Sequence, residues 1–446
     1  MKLFQSFGIV LLLICLLASC KKVQQADDLQ PGKVLYRSSK PVAQSNLIWQ
    51  KCFGSSSNDD GSSIAVAKDP ATGAATGYFF VGTAGGNDGN VSGNHGLNDA
   101  WVVKMKLDGT LIWQLPIGGS NYDYGKGVVA TDDGGCIVAI DGRSTDGEFS
   151  TLGSFPGLVV AKVSSTGTLV WAKRYNSGTP NAMIKTSDGG VAITGYLNEA
   201  DAVDPQESMF LIKLNPDPNA TTDQPYLISL NKTYGFPSGT NGETGYAVCE
   251  TTAKGFVLAG ASYSSANSNP RFYVVGTAAD GTEAWNRLFE DGSPDIGWGV
   301  TTAPDGNVVA TGRMGSNMVV FKLNPSNKGA TIWQTNYLAG KFGGITGFSI
   351  LCTSQDCIIT GSTTSNRGEI KETQGGEDLI LVKLGLDGTK KSSYSFGGTA
   401  NDRGKGIIPS VDGTTAYIVL GYTNSNNGDV SGNHGQSDVW AVKLSL

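Results

Sequence analysis

The sequence contains few charged residues and only two histidines. Asp, Glu, Lys and Arg make up 16% of its 446 residues, and the formal net charge is −6. Coiled coils, long-helix bundles and charged disordered chains are much richer in Glu, Lys and Arg, so these classes are excluded. A polybasic nucleic-acid binder is also excluded, because the chain is acidic and no Lys or Arg run exceeds two residues.

Glycine, by contrast, is abundant. The 62 glycines are about twice the usual share. They follow no three-residue period, which excludes collagen. Together with the low charge, this composition favours a large all-β protein rich in tight turns.

The N-terminal twenty residues have the features of a secretory signal. The apolar run from Phe7 to Leu17 follows Lys2 and is too short to span a bilayer. It ends in Leu17-Ala18-Ser19-Cys20, which resembles the lipobox of bacterial lipoproteins. The resemblance implies that residues 1–19 are a signal peptide and that Cys20 is lipidated, for example with palmitate, and anchors the protein to a membrane. The alternative is an ordinary cleavage site with an incidental cysteine.

The residues after Cys20 suggest a location. Lys21 and Lys22 follow it without an intervening Asp, and the enterobacterial sorting rule sends such lipoproteins to the outer membrane. We therefore predict a lipid-anchored protein of the bacterial cell envelope, facing either the periplasm or the surface. Residues 20–46 are polar after the cysteine, contain Pro31 and Pro41, and are interpreted as a flexible tether.

A repeat of about 56 residues fills residues 47–446. Each copy has two strands joined by a turn such as Asp133-Gly134, a longer loop, a third strand, a second turn such as Asp108-Gly109, and a fourth strand. Asp-Gly between apolar runs is a strong hairpin signal. Seven copies of four antiparallel strands predict an all-β fold, a seven-bladed β-propeller.

The ends of the repeat region predict how the ring closes. The chain enters its first copy at an outer strand, Leu47 to Gln50, and leaves its last copy on a third strand. One N-terminal strand and three C-terminal strands therefore complete the last blade, which removes exposed strand edges.

Two residue columns recur in the repeats. A Trp stands in the fourth strand of five copies, and a Lys ends the third strand of six. We expect the Trp side chains to pack across the gap to the next blade. We expect each Lys to lay its stem along the sheet, with its charge near the next Asp-Gly turn.

The repeat resembles two groups of proteins. The order strand, Asp-Gly, strand with Trp (Leu107 to Trp113) is similar to the repeats of the quinoprotein-like propellers. The block Asn90 to Gly96, nearly repeated as Asp429 to Gly435, resembles the repeats of secreted and lipid-anchored proteins of Bacteroidetes-type bacteria. These resemblances imply a fold and a cell-envelope location, and they do not imply a reaction.

The loops at one face of the ring hold the candidate site. Five copies place an acid two residues before the glycine of the first strand, and the two histidines occupy matching loops of the first and last copies. One interpretation is an acidic funnel that binds a ligand; the other is that each acid accepts hydrogen bonds from its own turn. The candidate binding residues are Asp59, Asp123, Glu243, Asp295, Asp402, His95, His434 and Trp298.

The sequence predicts no cofactor. The run Asn87 to Asn90 is rich in oxygen ligands but lacks the spacing of a calcium loop, so a bound cation such as calcium is the weaker alternative. Two histidines without a close third ligand do not make a zinc site. Of the five cysteines after Cys20, Cys352 and Cys357 flank one turn and are placed to form a disulfide; the alternative is two small buried apolar residues.

The leading functional prediction is a non-catalytic binding or scaffolding module for a protein or a glycan. The alternative is an envelope enzyme, carbohydrate-active or quinone-dependent, with its site at the channel mouth. No catalytic residue, and no nucleic-acid partner, is predicted.

Overall fold

The structure of the protein is a computed structural model, and it describes residues 46–198, 207–217, 226–235, 240–264, 267–370 and 373–446. The predicted signal peptide, the predicted lipidation site Cys20 and nearly all of the predicted tether lie outside the described residues. Within these residues, no helix has the length and apolar character needed to cross a membrane.

The described chain forms a seven-bladed β-propeller, as the repeat predicts. Each blade is a four-stranded antiparallel sheet whose first strand is innermost. Blades 3 and 4 are also joined by one parallel bridge between Glu207 and Gly242.

The described residues form 28 strands, which are numbered in chain order, so β1 belongs to the last blade. Strands of blades 1 to 3 are β2 (Asp60–Lys68), β3 (Ala75–Ala84), β4 (Asp99–Met105), β5 (Leu111–Ile117), β6 (Asp123–Ala130), β7 (Cys136–Gly142), β8 (Gly157–Val163), β9 (Leu169–Asn176), β10 (Thr179–Lys185), β11 (Val191–Asn198), β12 (Glu207–Pro216) and β13 (Tyr226–Tyr234). Strands of blades 4 and 5 are β14 (Thr240–Glu250), β15 (Phe256–Ser264), β16 (Asn267–Thr277), β17 (Glu283–Phe289), β18 (Asp295–Thr302), β19 (Val308–Met314), β20 (Asn317–Asn324) and β21 (Ala330–Tyr337). Strands of blades 6 and 7 are β22 (Ile345–Cys352), β23 (Asp356–Thr363), β24 (Asp378–Gly385), β25 (Lys390–Phe396), β26 (Asp402–Pro409), β27 (Ala416–Thr423), β28 (Asp438–Ser445) and β1 (Leu47–Phe53). Two short 3-10 helices span Gly147–Phe149 and Pro325–Asn327.

Blade 7 closes the ring in the predicted way. Its strand order is β26-β27-β28-β1, and β1 pairs antiparallel with β28 from Leu47 to Phe53. The indole N–H of Trp440 on β28 donates to Gln50 of β1 at 3.0 Å. The N-terminal strand thus covers an edge that the C-terminal strands would otherwise expose.

The core lies between the blades, which explains the low charge. One apolar cluster joins Phe79 and Val102 of blade 1 to Val138 and Val159 of blade 2, and all four are fully buried. Central strands are therefore apolar on both faces; β8, for example, is buried at all seven residues. Such a sheet has few positions where a charge can reach water.

The Trp column packs across the gap, as expected. The rings of Trp49, Trp113 and Trp333 lie against the glycine of the second turn in the following blade, at Gly109, Gly167 and Gly388. These glycines have φ near +80°, and a Cβ there would come within 3.1 Å of the indole. The turn glycine is thus required both by its backbone angle and by the ring above it.

The Lys column has a different partner from the one expected. Lys162 and Lys322 reach the first turn of their own blade, at Asp133 and Asp305, with N–O distances of 2.7 Å. The strand register explains this. The third strand runs antiparallel to the second, so the end of the third strand lies beside the start of the second strand and the turn that precedes it.

The first turn of blade 6 carries a disulfide. Cys352 and Cys357 pair across β22 and β23 with a Cα–Cα distance of 4.0 Å, and their sulfurs are bonded. The other cysteines of the described chain, Cys52, Cys136 and Cys249, are free thiols.

Candidate functional site

The five acids at the starts of the inner strands lie beneath their own loops. Asp59, Asp123, Asp295 and Asp402 have no exposed surface, and Glu243 is 3% exposed. Asp123 shows the arrangement: it accepts hydrogen bonds from the backbone N–H groups of Gly119 (3.0 Å), Arg143 (2.7 Å) and Ser144 (3.0 Å). The bond from Gly119 is the one that the second interpretation expected, from the acid's own turn. Arg143 and Ser144 belong to the loop after the second strand, so Asp123 also joins two loops.

A second set of carboxylates meets the first at three neighbouring boundaries between blades, which we call seams. Asp438 and Asp59 face each other at the seam of blades 7 and 1, Asp99 and Asp123 at that of blades 1 and 2, and Asp378 and Asp402 at that of blades 6 and 7. In each pair, one oxygen from each side lies within 2.8 Å of the point where a glycine Cβ would stand, at Gly54, Gly118 and Gly397. No larger residue fits there.

One oxygen in each seam lacks a hydrogen-bond donor. The Oδ1 atoms of Asp99, Asp378 and Asp438 are buried and unpartnered. Burial raises the pKa of Asp378 to about 7, and the charge of Asp402 adds to that shift. Burial also raises the pKa of Asp99 and of Asp438, but there the hydrogen bonds from a histidine oppose it.

The two histidines belong to separate seams. His95 Nδ1 lies 2.7 Å from Asp99 Oδ2, and its Nε2 lies 3.4 Å from Glu148 Oε1. His434 Nδ1 lies 2.5 Å from Asp438 Oδ2. Burial acts to lower the pKa of His95, but the bond to Asp99 and the charge of Glu148 outweigh it, so the pKa is raised. The structure gives the two histidines matching places without a common partner.

The central channel is shaped by a bulge that recurs in all seven inner strands. In each of them the pairing register with the second strand shifts by one residue at the same place. The extra residue of a β-bulge is unpaired and re-aims its side chain. These seven residues, which we call the channel ring, are Ser62, Lys126, Asn181, Tyr246, Trp298, Phe348 and Lys405.

The channel ring lines two cavities. One, of about 470 Å³, opens where the inner strands begin, and Arg313, Thr346, Glu377 and Arg403 complete its wall. The other, of about 570 Å³, extends toward the ends of the inner strands at Lys185, Glu250 and Thr302. The first cavity is on the face predicted from the sequence. Its wall contains basic and aromatic residues, whereas the sequence predicted an acidic funnel.

The channel ring has two chemically different halves. Blades 4, 5 and 6 supply Tyr246, Trp298 and Phe348, which pack on one another with ring centroids 4.2 and 5.5 Å apart. Blades 7, 1 and 2 supply Lys405, Ser62 and Lys126. An apolar platform therefore faces a cationic wall across the channel.

The cations of the mouth differ in how far they are neutralised. Arg403 forms two hydrogen bonds with Glu377, at 3.1 and 2.6 Å, and Lys405 is paired with Asp60. In the described part of the chain, Lys126 and Arg313 have no ion pair, and the Nε of Arg313 is buried without an acceptor. The mouth thus holds positive charge that the protein itself leaves uncompensated.

Of the sequence candidates, Trp298 is the one that lies in the channel ring. Among the described residues, no group of three or more His, Cys, Asp or Glu side chains is arranged to hold a metal ion. The six other ring residues were missed, although each occupies the same place in its repeat. The sequence signal that identifies them is the position directly after the glycine near the start of each inner strand. In blade 3, Pro180 stands in place of that glycine.

The architecture defines the protein as a seven-bladed β-propeller with an open central channel. No protein-family model matches the chain. No curated protein sequence matches it.

Solved structures match it at low identity. The WD40 domain of Neurospora crassa Pan2 is 10% identical, with 85% of this chain and 88% of that chain covered and a TM-score of 0.48. A Bacteroides caccae protein of unknown function is 9% identical, with 66% and 89% covered and a TM-score of 0.38. Puromycin hydrolase is 12% identical, with 83% and 51% covered and a TM-score of 0.50, so the chain spans about half the length of that enzyme. At 12% identity the likeness to puromycin hydrolase shows the fold alone.

Proposed function

We propose that this chain is a non-catalytic binding module of the bacterial cell envelope, anchored by lipid at Cys20, which takes part of a protein or glycan into the channel mouth. The observation that carries the proposal is the channel ring. Seven equivalent bulges present seven side chains to the channel: three adjacent aromatic rings, two lysines on the opposite side, and the neutral Ser62 and Asn181. Bulges of this kind are common beside functional sites.

The exposure of the aromatic residues in the channel ring supports a binding role. Tyr246, Trp298 and Phe348 remain partly exposed in the channel, although the contact between blades 4 and 5 buries aromatic side chains completely, as at Phe272. Concave sites lined by aromatic residues with a few placed polar groups are typical of ligand sites. A glycosidase at this mouth would need a pair of available carboxylates. The loop acids accept hydrogen bonds from backbone N–H groups, and Glu377 of the cavity wall is paired with Arg403.

The binding site predicts a large effect for Trp298→Ala. The full chain, immobilised, should retain a component of a solubilised envelope extract, and the variant should retain it at least tenfold less. An aromatic hot spot at the centre of a site contributes about 2 kcal/mol or more. Bound proteins and glycans are quantified by mass spectrometry.

Phe342→Ala is the matched control, because Phe342 is an aromatic residue that is 80% exposed and lies outside the channel ring. It should retain the component as the wild type does. Equal retention by wild type and Trp298→Ala, with both folded by thermal melting, would show that the ring is not the binding site.

The anchor is tested separately. In a Gram-negative host fed an alkyne-labelled fatty acid, the wild-type chain should become labelled and sediment with membranes. Cys20→Ala should remove the label, because only the cysteine at the new N-terminus is lipidated. Cys15→Ala is the control, since Cys15 leaves with the signal peptide and its loss should change nothing. Label that persists in Cys20→Ala would overturn the proposed anchor.

A further inference from the structure

The uncompensated charge at the mouth indicates the sign of the ligand. Lys126 stands in the cationic half of the channel ring, and Lys405 and Arg143 lie near enough to repel it. Burial lowers the pKa of Lys126, while the nearby carboxylates of Asp141 and Asp60 oppose the shift. Both of these carboxylates already serve another cation, Arg143 and Lys405 respectively. A ligand anion would give Lys126 a partner of its own.

Arg313 provides a second donor on the other side of the mouth. It stands on β19 opposite Ile296, two residues from Trp298 on the neighbouring strand. Its Nε is buried and lacks an acceptor, and an unpaired buried N–H is costly unless a ligand satisfies it. A guanidinium also matches the planar geometry of a carboxylate. Two cations that have no ion-pair partner among the described residues therefore face the same cavity, although Lys126 also lies 5.4 Å from the centroid of the Tyr124 ring.

The aromatic half indicates the shape of the ligand. The rings of Tyr246, Trp298 and Phe348 form an apolar wall that suits the C–H face of a flat ring. Ser62, Asn181 and Thr346 line the same cavity and can exchange hydrogen bonds with hydroxyl groups. A volume of about 470 Å³ lies within the range of small-molecule sites, about 300–1,000 Å³. A short oligosaccharide fits this space.

An extended peptide fits less well. A peptide would bind by adding a strand to the free edge of an inner strand, through a continuous run of backbone hydrogen bonds. The bulge interrupts each inner strand at the channel ring, so the run of paired groups is broken where the peptide would have to lie.

We infer that the ligand of the channel ring is an acidic oligosaccharide whose sugar rings stack on the Tyr246–Trp298–Phe348 wall and whose carboxylates pair with Lys126 and Arg313. This inference rests on the proposed binding function and names its ligand class. The chain as a whole carries a net charge of −6, so the positive charge of the mouth is a local feature and not a consequence of the overall composition.

The test uses the full chain and matched sugars in calorimetric titrations. The probes are trimers of α-galacturonate, β-mannuronate and β-glucuronate, each compared with its uncharged methyl ester. At least one acidic trimer should bind at least tenfold more tightly than its ester. Lys126→Met and Arg313→Gln should each weaken binding of the acid about tenfold and leave any binding of the ester unchanged. Lys254→Met, on an exposed turn residue, is the control and should bind as the wild type does.

Each other outcome identifies what has failed. If no acidic trimer binds, or if acid and ester bind equally, the acidic-sugar inference is overturned. A tri-glutamate peptide or a sulfated trisaccharide that binds more tightly than every uronate also overturns it, in favour of an acidic peptide or a sulfate ligand. The proposed function has its own readout: if Trp298→Ala still loses the envelope component, only the ligand class is wrong, and if it does not, the binding site is wrong as well.

Discussion

A chain that begins at Gly54, and therefore lacks β1, should not form a closed monomeric ring. Removing β1 exposes the edge of β28 along its whole paired length and removes Phe53, which is 4% exposed. Loss of a buried Phe side chain alone costs about 3–5 kcal/mol, and a whole domain is stable by only about 5–15 kcal/mol. We expect aggregates or strand-exchanged oligomers by size-exclusion chromatography with light scattering, and no cooperative melting transition for a monomer.

A chain that begins at Asn46 is the control, because it keeps all of β1. It should elute as the full-length propeller does and melt at the same temperature. A synthetic peptide of residues 46–54 added to the shorter chain should restore the monomer, since strand addition satisfies the open edge. A monomeric, cooperatively melting chain without β1 and without peptide would contradict the role of this strand in closure.

The fold could be predicted because its determinants are local and repeated. Asp-Gly turns such as Asp108-Gly109 fix hairpins through backbone angles that few other residues tolerate, and seven copies of one such unit leave little choice of topology. Because the repeat region begins at Leu47 with a fourth strand, that strand, β1, is the one that completes the last blade. The partner of Lys162 could not be predicted in this way, because Asp133 lies 29 residues before it along the chain and comes close only through the pairing of β7 with β8.

The site was harder to predict because a carboxylate looks the same in sequence whether it faces water or its own turn. Asp59 and Asp402 occupy the loops where they were expected, but the donors that bury them, such as Ser425 Oγ, come from other loops more than twenty residues away. The bulge is a second obstacle, since it shifts by one residue which side chains face the channel. Lys126 and Lys405 therefore fall outside any simple alternation of inward and outward positions.

Asp378→Asn should stabilise the protein at pH 8 and remove the contribution of Asp378 to the pH dependence of stability between about pH 4 and 7. Asp378 is fully buried, and its pKa is raised from 3.8 to about 7. In this range the folded protein binds a proton that the unfolded chain does not bind, so the wild type gains stability as the pH falls and loses it as the pH rises. The shift corresponds to at most about 4 kcal/mol at pH 8, which denaturant unfolding at several pH values measures.

A comparison of the three seams explains why the pKa of Asp378 is raised so far. His95 and His434 stand four residues before their aspartates and donate to them, whereas Gln374 stands at that place before Asp378 and offers only its backbone N–H there, at 2.6 Å. Gln374→His should therefore also lower the pKa of Asp378 and make the free energy of unfolding less dependent on pH. Asp402→Asn is the control. Burial raises the pKa of Asp402 as well, but Asp402 accepts from Gly398 N–H and the hydroxyls of Thr423 and Ser425, and an amide would lose at least one of these bonds, so this variant should be less stable at pH 8 than Asp378→Asn. If Asp378→Asn destabilises the protein as much at pH 8 as at pH 5, the seam does not hold an uncompensated charge.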